Sequence, residues 1–141
     1  MTELTLTRVY AAARELVFGA WTDPDRFAGW LGPHGFTAPS VTLNLTVGGS
    51  WRACMRNETT GAEFWVHGVY HEIVPPERLV FTWESEELSE PTVVTLTFAE
   101  DGGKTELTLH HAGFPDVAAR DDHTGGWTET LEELAGYLEA R

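Results

Sequence analysis

The six histidines of this 141-residue chain are its best candidates for metal binding and acid–base chemistry. His67 and His71 are four residues apart, a spacing that would let both bind one ion from a helix. They lie in a segment whose pattern predicts a strand, where a rise of about 3.3 Å per residue separates them by about 13 Å. His110 and His111 are adjacent and would point to opposite faces of a strand. We therefore expect no metal site and no cofactor.

The single cysteine, Cys54, is the one candidate thiol nucleophile. Arg52 and Arg56 lie two residues away on either side, and their charges would lower the pKa of an exposed thiol. The simpler interpretation, an inert thiol within a strand, is favoured. Neither a Gly-x-Ser-x-Gly elbow nor a phosphate-binding loop is present. Because no complete catalytic constellation is visible, the sequence favours a binding protein over an enzyme.

The net charge of −13, from nine basic and 22 acidic residues, restricts the partners. Residues 1–83 hold eight acids and six bases, whereas residues 84–141 hold 14 acids and three bases. Nucleic acids and anionic membranes need a cationic surface, so neither is an expected partner. One cysteine, no apolar signal core and no apolar stretch of about 18 residues predict a cytoplasmic protein.

The elements that would position these side chains follow from the hydrophobic periodicity. Alternation over residues 3–10 predicts a strand, and spacings of three and four from Ala12 predict a helix. Asp23-Pro24 is typical of an N-cap and first turn, here of a second short helix. Residues 36–111 then predict about six strands, and a helical pattern follows Gly113. This order predicts one α+β domain over residues 1–141, with a curved antiparallel sheet of six to seven strands wrapped around a long C-terminal helix.

Side-chain alternation predicts which residues face the helix. The expected inward side chains on five strands are Val41, Leu43, Leu45, Trp51, Ala53, Met55, Leu79, Phe81, Trp83, Val94, Leu96, Phe98, Leu107, Leu109 and His111. The strand at 62–74 is ambiguous because Phe64, Val66 and Tyr70 share one apolar face and Trp65 and His67 share the other. We place Trp65 and His67 inward there.

Six tryptophans in such a short chain have two interpretations. They could simply fill a core, or they could line a pocket for a largely apolar ligand with a few polar groups. The candidate ligand-binding residues are Trp30, Met55, Trp65, His67, Phe81, Trp83, His111, Trp127 and Leu131.

Several segments together resemble one family. These are AWTDP at residues 20–24, WLGP at 30–33, VGGSW at 47–51, GVYHEIVPPERLVFTW at 68–83 and GGW at 125–127. Their order is similar to that of proteins related to the activator of the ninety-kilodalton heat-shock chaperone ATPase, within the START-like (SRPBCC) superfamily. The resemblance implies a helix-grip fold with a cavity between the sheet and the long helix, in which the residues 125–127 open that last helix.

Three functions remain open at this point. The first is binding of a small hydrophobic molecule in the cavity. The second, implied by the resemblance, is a co-chaperone-like interaction with a heat-shock chaperone; the resemblance also makes a homodimer a candidate assembly. The third is a cyclase- or hydrolase-like enzyme that uses His67, Tyr70 or His111 as acid or base.

Overall fold

Seven strands and three helices follow one another along residues 2–140, the part of the chain that the computed structural model describes. In chain order they are β1 (Thr2–Tyr10), α1 (Arg14–Thr22), α2 (Pro24–Ala28), β2 (Phe36–Leu43), β3 (Ser50–Asn57), β4 (Glu63–Val74), β5 (Arg78–Ser85), β6 (Thr92–Asp101), β7 (Lys104–Phe114) and α3 (Val117–Glu139). The expected α+β order, with two short helices after the first strand, is confirmed.

The strands form one antiparallel sheet in the order β1-β7-β6-β5-β4-β3-β2. Consecutive strands from β2 to β7 are neighbours, while β1 lies at the opposite edge from β2. The segment α1–α2 therefore carries the chain from one edge to the other. With α3 packed on the same concave face, this is the helix-grip fold that the sequence predicted.

One face of the sheet supplies most of the core. The predicted inward residues of β5, β6 and β7 are all buried: Leu79, Phe81, Trp83, Val94, Leu96, Phe98, Leu107, Leu109 and His111. On β3, Trp51 and Ala53 are buried and Met55 packs partly against them. Leu45, however, is exposed rather than inward, because β2 ends at Leu43.

The start of α2 agrees with the sequence prediction. Asp23 Oδ1 accepts hydrogen bonds from the backbone N–H groups of Asp25 (2.9 Å) and Arg26 (3.2 Å), with Pro24 in the first helical position. These bonds satisfy donors that have no partner within the helix.

The last helix begins eight residues earlier than the resemblance implied. Asp116 caps α3 by accepting from the Ala119 N–H at 2.8 Å, so the helix starts at Val117. Gly125 and Gly126 lie inside the helix rather than at its start. The helical pattern that follows Gly113 in the sequence agrees with the observed start, whereas the glycine pair, a poor helix former, is tolerated in the interior.

The ambiguous strand β4 presents the opposite face from the one we favoured. Val66 and Tyr70 are buried, and the Phe64 ring lies 6.0 Å from that of Phe36. His67 is exposed on the outer face, and the Trp65 ring lies 3.9 Å from the guanidinium carbon of Arg52 there. A tryptophan that covers an arginine on the outer surface gave this face its apolar pattern.

Within residues 2–140, none of the helices has an apolar stretch long enough to cross a membrane.

Candidate functional site

A cavity of about 550 Å³, open to solvent at one side, lies between the sheet and the first half of α3. Its apolar lining comes from five parts of the chain: Leu31, Pro33, Phe36, Met55, Phe64, Val66, Trp83 and Trp127. Its polar lining comprises Glu63, Ser85, Glu86, Glu87, Asp122, His123 and Thr130, with Gly126 and Trp65 completing the border. The volume is within the range that small-molecule sites occupy.

Trp83 and Trp127 are the most deeply buried aromatic residues of the lining. Trp83 comes from β5 and Trp127 from α3, their ring centroids lie 5.1 Å apart, and both side chains are buried. Met55 from β3 borders the same space. Sheet and helix therefore each contribute one indole to the wall where they meet, and both are rigid apolar surfaces.

A hydrogen-bonded histidine supports this wall from behind. Trp127 Nε1 donates to His111 Nδ1 at 3.0 Å, and His111 Nε2 lies 2.7 Å from Thr92 Oγ1. The Thr92 hydroxyl donates its only proton to the Trp83 carbonyl oxygen at 2.7 Å. His111 Nε2 must then carry the proton that Thr92 Oγ1 accepts, which defines the neutral Nε2–H tautomer.

This network makes His111 a structural residue. Burial, with smaller contributions from His123 and His110, lowers the pKa of His111 to about 3. Its Nδ1 lone pair is occupied by Trp127, so no nitrogen is free to take a proton from a substrate. His111 fixes the orientation of Trp127 relative to β5.

Two polar side chains of α3 border the cavity and each donates a hydrogen bond within the helix. His123 Nδ1 donates to the Ala119 carbonyl at 2.8 Å. The Thr130 hydroxyl donates to the Gly126 carbonyl at 2.7 Å, and its oxygen can still accept a hydrogen bond. Both donors are thus used within the helix.

Gly126 gives the helix a position without a side chain at the cavity. A Cβ atom built there would meet nothing within 4 Å. Glycine in a helix interior costs about 1 kcal/mol relative to alanine, and here it leaves space open. The adjacent Gly125 is exposed and also unobstructed, but it does not border the cavity.

A histidine clamp holds the segment between α2 and β2 against α3. The backbone N–H of His34 donates to the Glu129 carboxylate at 3.0 Å. The His34 ring lies 2.6 Å from Glu133 through Nδ1 and 2.8 Å from Glu132 through Nε2. The hydrogen bonds to Glu133 and Glu132 raise the pKa of His34. Pro33 in the same segment borders the cavity, so this clamp sets the position of one wall.

The candidate ligand-binding residues divide into three groups. Met55, Trp83 and Trp127 border the cavity. Trp65 borders it as well, although its ring packs against the Arg52 guanidinium on the outer face. Those buried in the core away from the cavity are Trp30, Phe81, His111 and Leu131. His67 is exposed on the outer surface.

Some of the lining residues that sequence reasoning missed come from connecting segments. Leu31 and Pro33 follow α2, and Glu86 and Glu87 follow β5. No periodicity marks them, because they lie outside the strands and helices. Gly126 carried a signal that was misread, since an interior helical glycine is consistent with a surface that must stay open.

The three proposed acid–base residues do not meet. His67 is exposed, His111 is buried behind Trp127, and Tyr70 lies in the core, where burial raises its pKa. Cys54 is buried, and burial followed by Glu63 raises the pKa of its thiol, which agrees with the inert thiol that the sequence favoured. Within residues 2–140 no three histidine, cysteine or acidic residues are grouped to hold a metal.

Similar structures share the fold, and two of the following three also share the length. Protein CV1439 from Chromobacterium violaceum is 30% identical with a TM-score of 0.89, covering 97% of this chain and 96% of its own. The AHSA1 protein from Silicibacter pomeroyi is 28% identical with a TM-score of 0.86, covering 99% of each chain. CalU16 from Micromonospora echinospora is 25% identical with a TM-score of 0.76, covering 96% of this chain and 75% of its own.

No curated protein matches the sequence significantly. The sequence profile of the family described as "Activator of Hsp90 ATPase homolog 1-like protein" matches residues 11–139. That match spans α1 to α3 and therefore includes every element that borders the cavity. The chain thus belongs to the AHSA1-like family of the START-like (SRPBCC) superfamily, which confirms the resemblance seen in its motifs.

Proposed function

We propose that this protein binds a small, largely hydrophobic molecule in the cavity between the sheet and α3. The observation that supports the proposal most strongly is Gly126. A helix that could pack against the sheet instead presents bare backbone to about 550 Å³ of open space. That arrangement lowers helix stability and leaves apolar wall uncovered, and both costs are offset when a ligand fills the space.

The lining supports an apolar ligand of moderate size. Trp83, Trp127 and Met55 form one wall, and Phe36 and Phe64 form another. Rigid aromatic walls with a few polar groups at the border are typical of small-molecule sites. Membership of the START-like superfamily is consistent with the same function.

The test uses N-phenyl-1-naphthylamine, an uncharged probe whose fluorescence rises in apolar surroundings. We expect the wild-type protein to bind it saturably. Gly126→Leu places a side chain in the cavity and should weaken binding at least ten-fold. Gly125→Leu, on the neighbouring exposed position, is the matched control and should bind like the wild type.

Both variants should fold, because leucine is a better helix former than glycine and a Cβ meets no atom at either position. Circular dichroism and urea unfolding check this. Equal binding by the two variants, or no binding by the wild type, would contradict the proposal.

A second candidate is a chaperone interaction, and two observations favour it. The family is described by likeness to an Hsp90 ATPase activator, and residues 84–141 carry 14 acids against three bases. Titration of a bacterial Hsp90 homologue with this protein should then raise its ATPase rate. An unchanged rate together with no binding in ultracentrifugation removes this candidate.

A further inference from the structure

We propose that the ligand of the cavity carries an uncharged oxygen acceptor, such as a ketone or ester carbonyl, and that the indole N–H of Trp83 donates a hydrogen bond to it. This inference rests on the proposed ligand-binding function and adds the chemical class of the ligand. It follows from a buried donor without a partner on a residue that borders the cavity.

The buried tryptophans differ in what their N–H groups do. Nε1 of Trp30, Trp51 and Trp127 each donates to an acceptor at a distance between 3.0 and 3.1 Å. Within residues 2–140, Nε1 of Trp21 and Nε1 of Trp83 are buried and have no hydrogen-bond partner. Of these two residues, Trp83 borders the cavity and Trp21 does not. Because a buried donor without an acceptor costs free energy, an acceptor brought to Trp83 by a ligand is favoured.

The rings that surround Trp83 offer it no free acceptor. The centroid of its ring lies 5.1 Å from that of Trp127, 5.5 Å from that of Trp51 and 6.0 Å from that of His111. The nitrogen of an indole ring is a donor only. Both nitrogens of His111 are engaged, Nδ1 with Trp127 and Nε2 with Thr92. We therefore expect the acceptor to come from the cavity, which Trp83 borders.

The chemistry of an indole determines what its partner must be. Ser85, two residues further along β5 and on the same face, also borders the cavity, and its hydroxyl can donate or accept. Trp83 can only donate, so its partner must be an acceptor. A phenylalanine would supply an apolar wall without an N–H group. The N–H of Trp83 is thus the group that would select an oxygen-bearing ligand over a hydrocarbon of the same shape.

The carboxylates of the lining favour an acceptor without charge. Glu63, Glu86, Glu87 and Asp122 border the cavity, and no lysine or arginine within residues 2–140 does. A ligand carboxylate would meet like charge there, which is unfavourable. A carbonyl oxygen accepts a hydrogen bond and carries no net charge, so it satisfies Trp83 without this repulsion.

The test compares 2-acetylnaphthalene with 2-isopropenylnaphthalene, which has the same shape and a methylene group in place of the carbonyl oxygen. Equilibrium dialysis gives the Kd of each probe for the wild type, Trp83→Phe and Trp21→Phe. The two Kd values are compared as a ratio within each protein, so the different hydrophobicity of the probes cancels between proteins. Trp83→Phe should shift this ratio against the ketone about five-fold. Trp21→Phe, which removes the other unpartnered indole, is the matched control and should leave the ratio unchanged.

A third probe tests the charge of the acceptor. The carboxylate 2-naphthoate has the same ring and a similar size. It should bind the wild-type protein more weakly than 2-acetylnaphthalene does.

A spectrum of the wild-type protein tests the hydrogen bond without a substitution at the site. In ¹H–¹⁵N NMR spectra each indole N–H gives its own resonance, which is assigned through the bonded side-chain and backbone nuclei. The ketone should move the Trp83 indole proton further downfield than the alkene does, because a hydrogen bond deshields the proton. The naphthalene ring is common to both probes, so its own effect on the resonance cancels. The Trp21 resonance should respond alike to both probes.

The outcomes separate this proposal from the function it rests on. If Gly126→Leu weakens the binding of both probes but the ratio is the same in the wild type and Trp83→Phe, the cavity binds ligands and the proposed hydrogen bond is wrong. A Trp83 resonance that responds alike to ketone and alkene, or an equal shift of the ratio in Trp21→Phe, would also overturn it. Tighter binding of 2-naphthoate than of the ketone would overturn the uncharged acceptor. If none of the probes binds, both proposals fail.

Discussion

Two aromatic clusters in the interior have similar composition and opposite packing. In the packed cluster, six side chains close around a void of about 10 Å³: Trp21, Phe27, Trp51, Tyr70, Leu79 and Phe81. The cavity beside Trp83 and Trp127 leaves about 550 Å³ open. The two regions are connected, since the Trp51 and Trp83 rings lie 5.5 Å apart.

The helices account for the difference. Over the packed cluster, α1 and α2 contribute Trp21 and Phe27, whose rings lie 5.9 Å apart and fill the concave face. Over the cavity, α3 contributes the small residues Gly126 and Thr130 on either side of Trp127. Both regions hold aromatic side chains from a helix and from the sheet, so the number of aromatic side chains does not decide whether an interior is filled. The small residues beside Trp127 leave the space open.

The largest expected effect is on the free energy of unfolding. It is seen when phenylalanine is replaced by alanine once in each region. Phe27→Ala should lower the free energy of unfolding by about 3–5 kcal/mol, because it opens a void among packed rings. Phe64→Ala, at a cavity residue that is 42% exposed, should cost about 1 kcal/mol or less. Urea unfolding measures both. Equal losses would mean that the cavity is as tightly packed as the cluster.

A second prediction concerns the cavity side of this comparison, where His111 supports Trp127 from behind. Its folded-state pKa of about 3 is below the unfolded value of about 6.5, so the unfolded chain takes up the proton first. Stability is complete above about pH 6.5 and falls as the pH drops toward 3, with about 2 kcal/mol lost by pH 5.

Comparison with His111→Gln isolates this contribution, because glutamine does not titrate. Urea unfolding at pH 7 and pH 5 should show the wild type losing about 2 kcal/mol more than the variant. In NMR titrations His111 should not protonate above pH 4. A normal pKa would contradict the burial of His111 behind the cavity wall.

The smallest expected effect concerns the His34 clamp at the cavity's edge. The folded-state pKa of His34 is raised, so its stabilisation is complete below the unfolded value of about 6.5 and is lost as the pH rises through the folded value. A neutral ring has one N–H and can donate to only one of Glu132 and Glu133.

Thermal unfolding of the wild type and of His34→Gln checks whether the stabilisation by His34 is lost as the pH rises. The wild type should be slightly more stable at pH 6, and the difference should vanish by pH 9. All three partner carboxylates, Glu129, Glu132 and Glu133, come from α3. A difference that grows with pH would contradict a protonated His34 in the clamp.

The architecture could be predicted because the strands have one apolar face. Leu79, Phe81 and Trp83 alternate with polar or small residues, and the structure buries all three. The prediction of the inward face of strand β4 was wrong because both of its faces are apolar. Only the tertiary contact shows that Trp65 covers Arg52 on the outer face. The register of a strand, and which of its side chains point to the core, are strongly specified only where one face is apolar and the other polar.

The cavity could be predicted only in part. Met55, Trp83 and Trp127 were found because they lie on regular elements with a clear inward side. Leu31 and Glu86 come from connecting segments, where no period indicates direction. A cavity is defined by space that no side chain fills, and that depends on how distant segments pack rather than on any local pattern.

Helix α3 is also uneven along its length. Its buried residues are Trp127, Thr130, Leu131 and Leu134, and residues 117–126 contain none. Local opening is governed by buried contacts, so amide hydrogens in the first ten residues should exchange faster with deuterium than those after Trp127. We therefore expect residues 117–126 to open locally more often than the rest of the helix, and such opening would give a proposed ligand a route into the cavity without global unfolding.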